Sequence, residues 1–357
     1  MSLKKTIKET YIKEKILKWY QYNARELPWR KKLGKKLPNP YHILISEFML
    51  QQTTVNAVIP KYKEFIKIWP TIEKLSKIKE STILRFWSGL GYYARAKNLL
   101  KSIKLIAKKH NYLIPKEYNY LIQLPGVGDY TAKAIQGIAY NKPVMPIDAN
   151  IERIITRIYA ITQPIKNRKY QIVELSKKII SIKNSNNFIQ ALMDYGSSIC
   201  LLKMPKCHIC VIKNHCIAFK RNLTQKIPIK KIQNNSKAIK FTRAYLIINE
   251  FNEILIRRRP AKGMLQSMIE IPSDPWVKYK KDLVRDKLIK SFPNKLYKLK
   301  EKNIYSFSHF DLYIETYFTK VKKSNFKNYQ WLSLSKVDNS GFPTVMRKII
   351  KIYINSI

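Results

Sequence analysis

Every cysteine of the 357-residue chain falls in one short stretch, CLLKMPKCHICVIKNHC, from Cys200 to Cys216. The spacing is C-x6-C-x2-C-x5-C, through Cys200, Cys207, Cys210 and Cys216. Four thiolates on one loop suit a tetrahedral zinc or an iron-sulfur cluster, and ligand softness alone does not choose between them. Structural zinc sites usually present two short Cys-x2-Cys pairs; here a single pair sits between two longer gaps. The N-terminus, MSLKKTIKETYIKEKILKWY, is patterned as an amphipathic helix rather than a secretion signal, and no uninterrupted apolar run reaches membrane-spanning length. The expected compartment is the cytoplasm, without membrane association. Disulfides are rare there, which favours metal or cluster ligands over bridges.

Lys and Arg number 69 against 23 Asp and Glu, a net charge of +46 spread along the whole chain. A polyanion is the expected partner. The chain is also rich in Lys, Ile, Asn and Tyr throughout, so part of this excess is compositional and charge alone does not name a function. Lys203 and Lys206, inside the first cysteine gap, are placed to meet phosphate.

A second stretch, LIQLPGVGDYTAKAI (121–135), reads as helix, tight turn, helix. Pro125 stops the first helix, and Gly126 and Gly128 are expected to take positive φ, letting backbone N–H groups converge on a phosphate at the next helix start. Beyond it, PIDANIERIITRIY places Asp148 as the N-cap of an amphipathic helix. A second acid, Glu47, lies in YHILISEFMLQQTTV, where its helical neighbours are Ile43, Leu44, Leu50 and Gln51. Apolar company should raise its pKa, and a carboxyl still protonated near neutrality can act as a general acid.

The cysteine spacing resembles the 4Fe-4S loop of the endonuclease III superfamily of DNA glycosylases, and LPGVG resembles that superfamily's helix-hairpin-helix turn. SEFMLQQTTV, GLGYYARAKNL, LPGVGDYTAKAI, IDANIERII and ALMDYGSSIC follow in an order similar to the MutY family of adenine DNA glycosylases. The resemblance runs over essentially the full length. It implies one 4Fe-4S cluster on the four cysteines, and double-stranded DNA with an adenine:8-oxoguanine or adenine:guanine mispair as partner. Lyase relatives carry a nucleophilic lysine where this chain has Tyr130, which implies a monofunctional hydrolase. On the same resemblance Glu47 protonates adenine, Asp148, held rigid and ionised by its helix, stabilises the oxocarbenium-like sugar, and Tyr130 supports the developing charge. Trp29, Arg30 and Gln190 line the adenine pocket, while Gln51 and Tyr92 enter the base stack, Tyr92 beside 8-oxoguanine.

After Cys216 a polar, basic stretch reads as a linker. FTRAYLIINE and EILIRRRP then form a hairpin pattern, and DLYIETYF alternates with period two. RPAKGMLQSMIEIP followed by FSHF resembles the family's Nudix-like C-terminal domain, with Phe307, Ser308 and His309 probing 8-oxoguanine. No Glu-rich helix of the Nudix hydrolase type is present, so recognition rather than hydrolysis is expected of it. The expected fold is α+β: a mostly α-helical glycosylase region at 1–220, a basic linker at 221–240 and a smaller Nudix-like α/β domain at 241–357, acting as a monomer. Two departures stand out: Ala149 follows Asp148 where the family usually has glycine, and KKLGKKLP around Leu33 to Pro38 is a basic insertion. The rival readings are a pyrimidine-specific glycosylase/lyase of the same superfamily and a non-catalytic nucleic-acid-binding protein.

Overall fold

Helical periodicity governs the earlier part of the chain and strand alternation the later part, and the computed structural model follows that change. It describes residues 9–31, 36–163, 165–229, 237–260, 263–290, 292, 294–299, 303–338 and 340–355. Half of the basic insertion around Leu33, residues 32–35, therefore lies outside the described residues. The helices are α1 (Glu9–Asn23), α2 (Pro40–Leu50), α3 (Val55–Ile68), α4 (Ile72–Ser76), α5 (Glu80–Phe86), α6 (Ala94–Lys109), α7 (Tyr118–Leu121), α8 (Asp129–Ala134), α9 (Ala149–Ile158), α10 (Ile165–Ile179), α11 (Ser185–Ser198) and α12 (Ile217–Lys220). The strands are β1 (Ala238–Asn249), β2 (Glu253–Arg258), β3 (Ile269–Glu270), β4 (Tyr297–Lys298), β5 (Asn303–Ser306), β6 (Phe310–Val321) and β7 (Tyr329–Ser333), with α13 (Lys287–Lys290) and α14 (Thr344–Asn355). Two compact units result: Met1–Lys77 with Asn98–Gln233, and Ile78–Lys97 with Asn234–Ile357. None of the described helices is long and apolar enough to cross a membrane.

In the first unit α2 is the central element. The Asn39 side chain accepts from Tyr41 N at 2.9 Å, and Pro40 fills the first turn, where a missing N–H leaves no bond unmade. Tyr41 and every residue from Ile43 to Met49 are buried, as expected of a helix that is apolar almost all round. Helix α8 runs on into a π-helical turn, Ile135–Ala139. There Gly137 permits a close approach to α11, because a Cβ would lie 2.2 Å from Ile189 Cδ1. Gly196 does the same at the start of α9, where a Cβ would fall 2.5 Å from the Asn150 Cβ. These two contacts hold α11 against the π-helical turn and against the start of α9.

The second unit is built on a mixed sheet in the order β3-β2-β1-β6-β4, with β5 also on β6 and β7 also on β2. The hairpin pattern of the sequence is borne out: β1 and β2 are antiparallel, with Ile248 opposite Ile254. β1 runs parallel to β6 from the Ala238–Phe310 pair to the Asn249–Val321 pair. Alternation sorts β1 between two cores. Ala244, Leu246 and Ile248 pack with Val345, Met346 and Ile349 of α14, while Tyr245 and Ile247 face Ile289 of α13. Segment 78–97 joins this unit through Ser88 Oγ, which donates to Phe342 O at 3.4 Å, and through Gly341, whose missing Cβ leaves room for the Arg85 backbone.

Candidate active site

Three elements of the first unit converge on one pair of acids. Glu47, 7% exposed on α2, is hydrogen-bonded by the Tyr130 hydroxyl from the first turn of α8. Burial pushes the Glu47 carboxyl up to about 7, the nearby Asp148 carboxylate adds to the rise, and the Tyr130 bond and the Arg30 charge oppose it. The Tyr130 phenol is in turn driven well above its ordinary value by burial and by the two carboxylates, so it stays neutral. Asp148 caps α9: Oδ1 accepts from Ile151 N at 2.7 Å and Oδ2 from Asn150 Nδ2 at 3.0 Å. The cap gives the expected rigidity, but burial outweighs it, and the Asp148 carboxyl lies above its ordinary value. The support continues outward. Arg153 Nη2 donates to Asn150 Oδ1 at 2.8 Å and to Gly196 O at 2.6 Å, and Arg153 Nε donates to Cys200 O at 2.6 Å.

That last bond reaches the cysteine loop. Cys200, Cys207, Cys210 and Cys216 line one cavity together with Arg157, Tyr195 and Lys206. Arg157 Nη1 lies 3.3 Å from Cys200 Sγ, and the Tyr195 hydroxyl lies 3.2 Å from Cys210 Sγ. All four cysteines are free. Among the described residues no three His, Cys, Asp or Glu side chains gather as ligands of a single metal ion. Four cysteines lining one cavity, two of their sulfurs met by hydrogen-bond donors, fit the ligand set of a four-iron cluster.

Residues 45–193 match the family model described as HhH-GPD superfamily base excision DNA repair protein, and residues 243–351 match a NUDIX domain. The adenine DNA glycosylase of Buchnera aphidicola subsp. Acyrthosiphon pisum is 34% identical over 355 residues, spanning 94% of this chain and 95% of its own. That of Buchnera aphidicola subsp. Baizongia pistaciae is 36% identical over 347 residues, 94% of each. The chain belongs to the adenine DNA glycosylase family. Family membership makes it a base excision repair enzyme, a hydrolase of N-glycosyl bonds. Among solved structures, a thermostable thymine-DNA glycosylase is similar at 26% identity and a TM-score of 0.54, covering 60% of this chain and 97% of its own. An adenine glycosylase with a helical part and a Nudix-like part accounts for both folds seen here.

The other expected site residues divide between the units. In the first, Trp29 is buried edge-on against Tyr62, with ring centroids 5.2 Å apart. Arg30 is committed to a bidentate pair with Asp194, at 2.7 and 3.0 Å. Gln190 is buried one helical turn before Asp194; its Nε2 donates to Asn186 O at 3.0 Å, and its Oε1 has no partner. Gln51 Nε2 reaches Gly126 O at 3.4 Å, joining α2 to the hairpin. Gly126 takes the expected left-handed φ of 81°, and a Cβ there would strike Asn98 and Phe48. Gly128 does not: its φ of −94° is extended backbone at the N-cap of α8, which residues with side chains also adopt. Lys203 and Lys206 are both exposed.

In the second unit Tyr92 sits at a left-handed φ of 46°, 41% exposed, with its hydroxyl on the Ser308 hydroxyl. Ser308 and His309 are exposed at the tip of the β5–β6 hairpin. Phe307 instead turns inward, stacked on Phe310 at 4.9 Å and tilted on Trp276 at 5.5 Å. Asn150, Arg153 and Asp194 escaped the sequence reading. Their signal was present: two arginines, Arg153 and Arg157, interrupt the isoleucine stripe of α9, and a charge within an apolar face needs a partner.

Proposed function

We propose that the enzyme is a monofunctional glycosylase that turns adenine out of a mispair with 8-oxoguanine or guanine in duplex DNA and hydrolyses it to an abasic site. The observation that carries this reading is the meeting of Glu47, Tyr130 and Asp148. Two neighbouring acids in a buried site do not both ionise readily, and one proton is retained between them near neutrality. Asp148 accepts two N–H bonds that favour its carboxylate, so the proton rests on Glu47. Glu47 then donates it to N7 of adenine. The bond from C1′ to N9 breaks with its electron pair on the departing base, the positive charge left on the sugar faces the Asp148 carboxylate, and water adds to C1′ and gives up a proton that returns to the Glu47 carboxylate, restoring the acid. Tyr130 orients Glu47 and, as a neutral phenol, offers no amine for attack on the sugar. Lys133, the nearest lysine along α8, is paired with Asp129 at 2.8 Å.

Reaching the bond requires base extrusion, at an unstacking cost of about a few kcal/mol. Trp29 and Gln190 form walls for the extruded adenine, the unpartnered Gln190 Oε1 accepting from its amino group, while Arg30 braces Asp194 behind them. Gln51 and Tyr92 fill the emptied stack, and Ser308 and His309 meet the 8-oxoguanine side. The Gly126 turn, Lys203 and Lys206 hold phosphates. Cys200, Cys207, Cys210 and Cys216 hold one 4Fe-4S cluster, which supplies a redox-capable knot that ties the loop together. Every base-release step above is carried by the side chains of this chain.

The test is a single-turnover assay on a duplex with adenine opposite 8-oxoguanine, comparing strand scission with and without hot alkali. Scission only after alkali is expected. Scission without alkali points to a lyase, and no scission under either condition overturns the reading.

A further inference from the structure

We propose that Tyr195 acts as an outer-sphere residue of the cysteine site, its hydroxyl holding the Cys210 sulfur by a hydrogen bond that sets the charge balance of the bound cluster. The residue is 1% exposed, and its ring stands edge-on to Trp19 with centroids 4.9 Å apart. Its oxygen accepts from Val211 N at 2.9 Å and lies 3.2 Å from Cys210 Sγ. A phenol has one proton to give. With the Val211 N–H already pointing at the oxygen, that proton is directed to the sulfur. The hydroxyl thus grips the ligand and the backbone just after it from α11, the helix that also carries Gln190 and Asp194.

A donor to a cysteine sulfur withdraws electron density from the iron-sulfur bond and favours the more negative state of the cluster, which raises its potential. Arg157 supplies a second donor, to Cys200 Sγ. It also donates to the carbonyls of Leu201, Leu202 and Ile227, so its removal takes away much more than one contact to sulfur. Tyr195 offers the cleaner probe: Tyr195→Phe removes one oxygen and leaves the ring in place.

The inference rests on the reading that the four cysteines hold an iron-sulfur cluster, so iron, sulfide and visible absorption of the full-length protein are measured first. Zinc in place of iron overturns both. On the iron-loaded protein, the midpoint potential of Tyr195→Phe is followed by redox titration with electron paramagnetic resonance. A shift to more negative potential is expected; an unchanged potential at full cluster content overturns the role of Tyr195 and leaves the cluster standing. If Tyr195→Phe carries no cluster, Trp19→Leu decides, since it loosens the same packing and keeps the hydroxyl. A cluster retained in Trp19→Leu assigns the loss to the missing bond. Loss in both variants makes Tyr195 a packing residue and overturns the proposal.

Discussion

Glu47 in the first unit and Glu270 in the second are both buried acids, 7% and 1% exposed, in opposite company. Glu270 accepts from Arg257 Nε at 3.0 Å, from the Arg259 guanidinium and from Ser273 Oγ at 3.0 Å. Its neighbour Asp274 is held by Arg243 Nε at 2.5 Å and by the Tyr245 hydroxyl at 3.0 Å. Glu47 faces a phenol and a second carboxylate instead. Asp194 shows that the first unit can also pair an acid fully: burial works to raise its carboxyl, but Arg30 and Arg25 hold it below the ordinary range. Burial alone therefore does not mark a working acid. What marks it is burial with a like charge as neighbour, which keeps a proton available near neutral pH.

The sharpest way to break this contrast is to neutralise each acid in turn. Glu47→Gln cannot donate the proton, and base release should fall by about 10²–10⁴-fold, the usual contribution of a general acid, while lesion duplex still binds. Unchanged single-turnover release would remove Glu47 from the chemistry. Glu270→Gln should act on stability. It leaves Arg257 and Arg259 without their shared carboxylate, at a cost of about 3–5 kcal/mol read by denaturant unfolding of the second unit. A loss under about 1 kcal/mol would mean that the arginine cluster does not depend on this acid.

The contrast also has a pH signature. Glu47 is raised from 4.5 to about 7, so the folded protein favours its protonated form. The base-release rate should fall about tenfold per unit above pH 7 as Glu47 ionises, and should fall again at acid pH as the Asp148 carboxyl, itself raised by burial, takes up a proton. The Glu47 shift also destabilises the native state at alkaline pH. The folded protein loses stability as pH rises through the folded value, and the group contributes no difference well below the ordinary carboxyl value. Glu47→Gln should accordingly be more stable than the parent above neutrality, by up to about 3 kcal/mol, and match it at pH 4. A gain of the same size at both pH values would trace the effect to packing instead of ionisation.

Much of the contrast was open to reading in the residues, and what was not had a physical reason. The apolar company of Glu47 follows from helix period, since Ile43 and Leu44 share its face. Periodicity also left room for a place on the rim of that stripe, which the burial of every residue from Ile43 to Met49 rules out. The two cores around β1 follow from strand alternation in FTRAYLIIN. Gly126 and Gly128 look alike in LPGVG, but only Gly126 lies where the chain turns left-handed and where Asn98 and Phe48 leave no room for a Cβ. Arg153 and Arg157 are hidden by a net charge of +46, which makes any single basic residue look like surface. Phe307 was expected beside Ser308 at the lesion, yet its ring packs into the aromatic group of Trp276 and Phe310. The grouping of Tyr92 with Ser308 depends on a contact between distant parts of the chain, which no local period encodes.

The smallest effect tests the link between the two acids and their phenol. The Tyr130 hydroxyl donates to Glu47 and opposes the rise of its carboxyl. Tyr130→Phe removes that donor and leaves Glu47 more reluctant to ionise. A hydrogen bond to a charged group contributes about 1.5–3 kcal/mol, and one pKa unit corresponds to about 1.4 kcal/mol, so the alkaline limb of the rate profile should move up by about one to two units. Below the limb the rate should drop by less than about tenfold, because Glu47 keeps its proton and loses only its orientation. Movement of the limb to lower pH would reverse the assignment, making Tyr130 a group that holds the proton on Glu47 rather than one that favours its release.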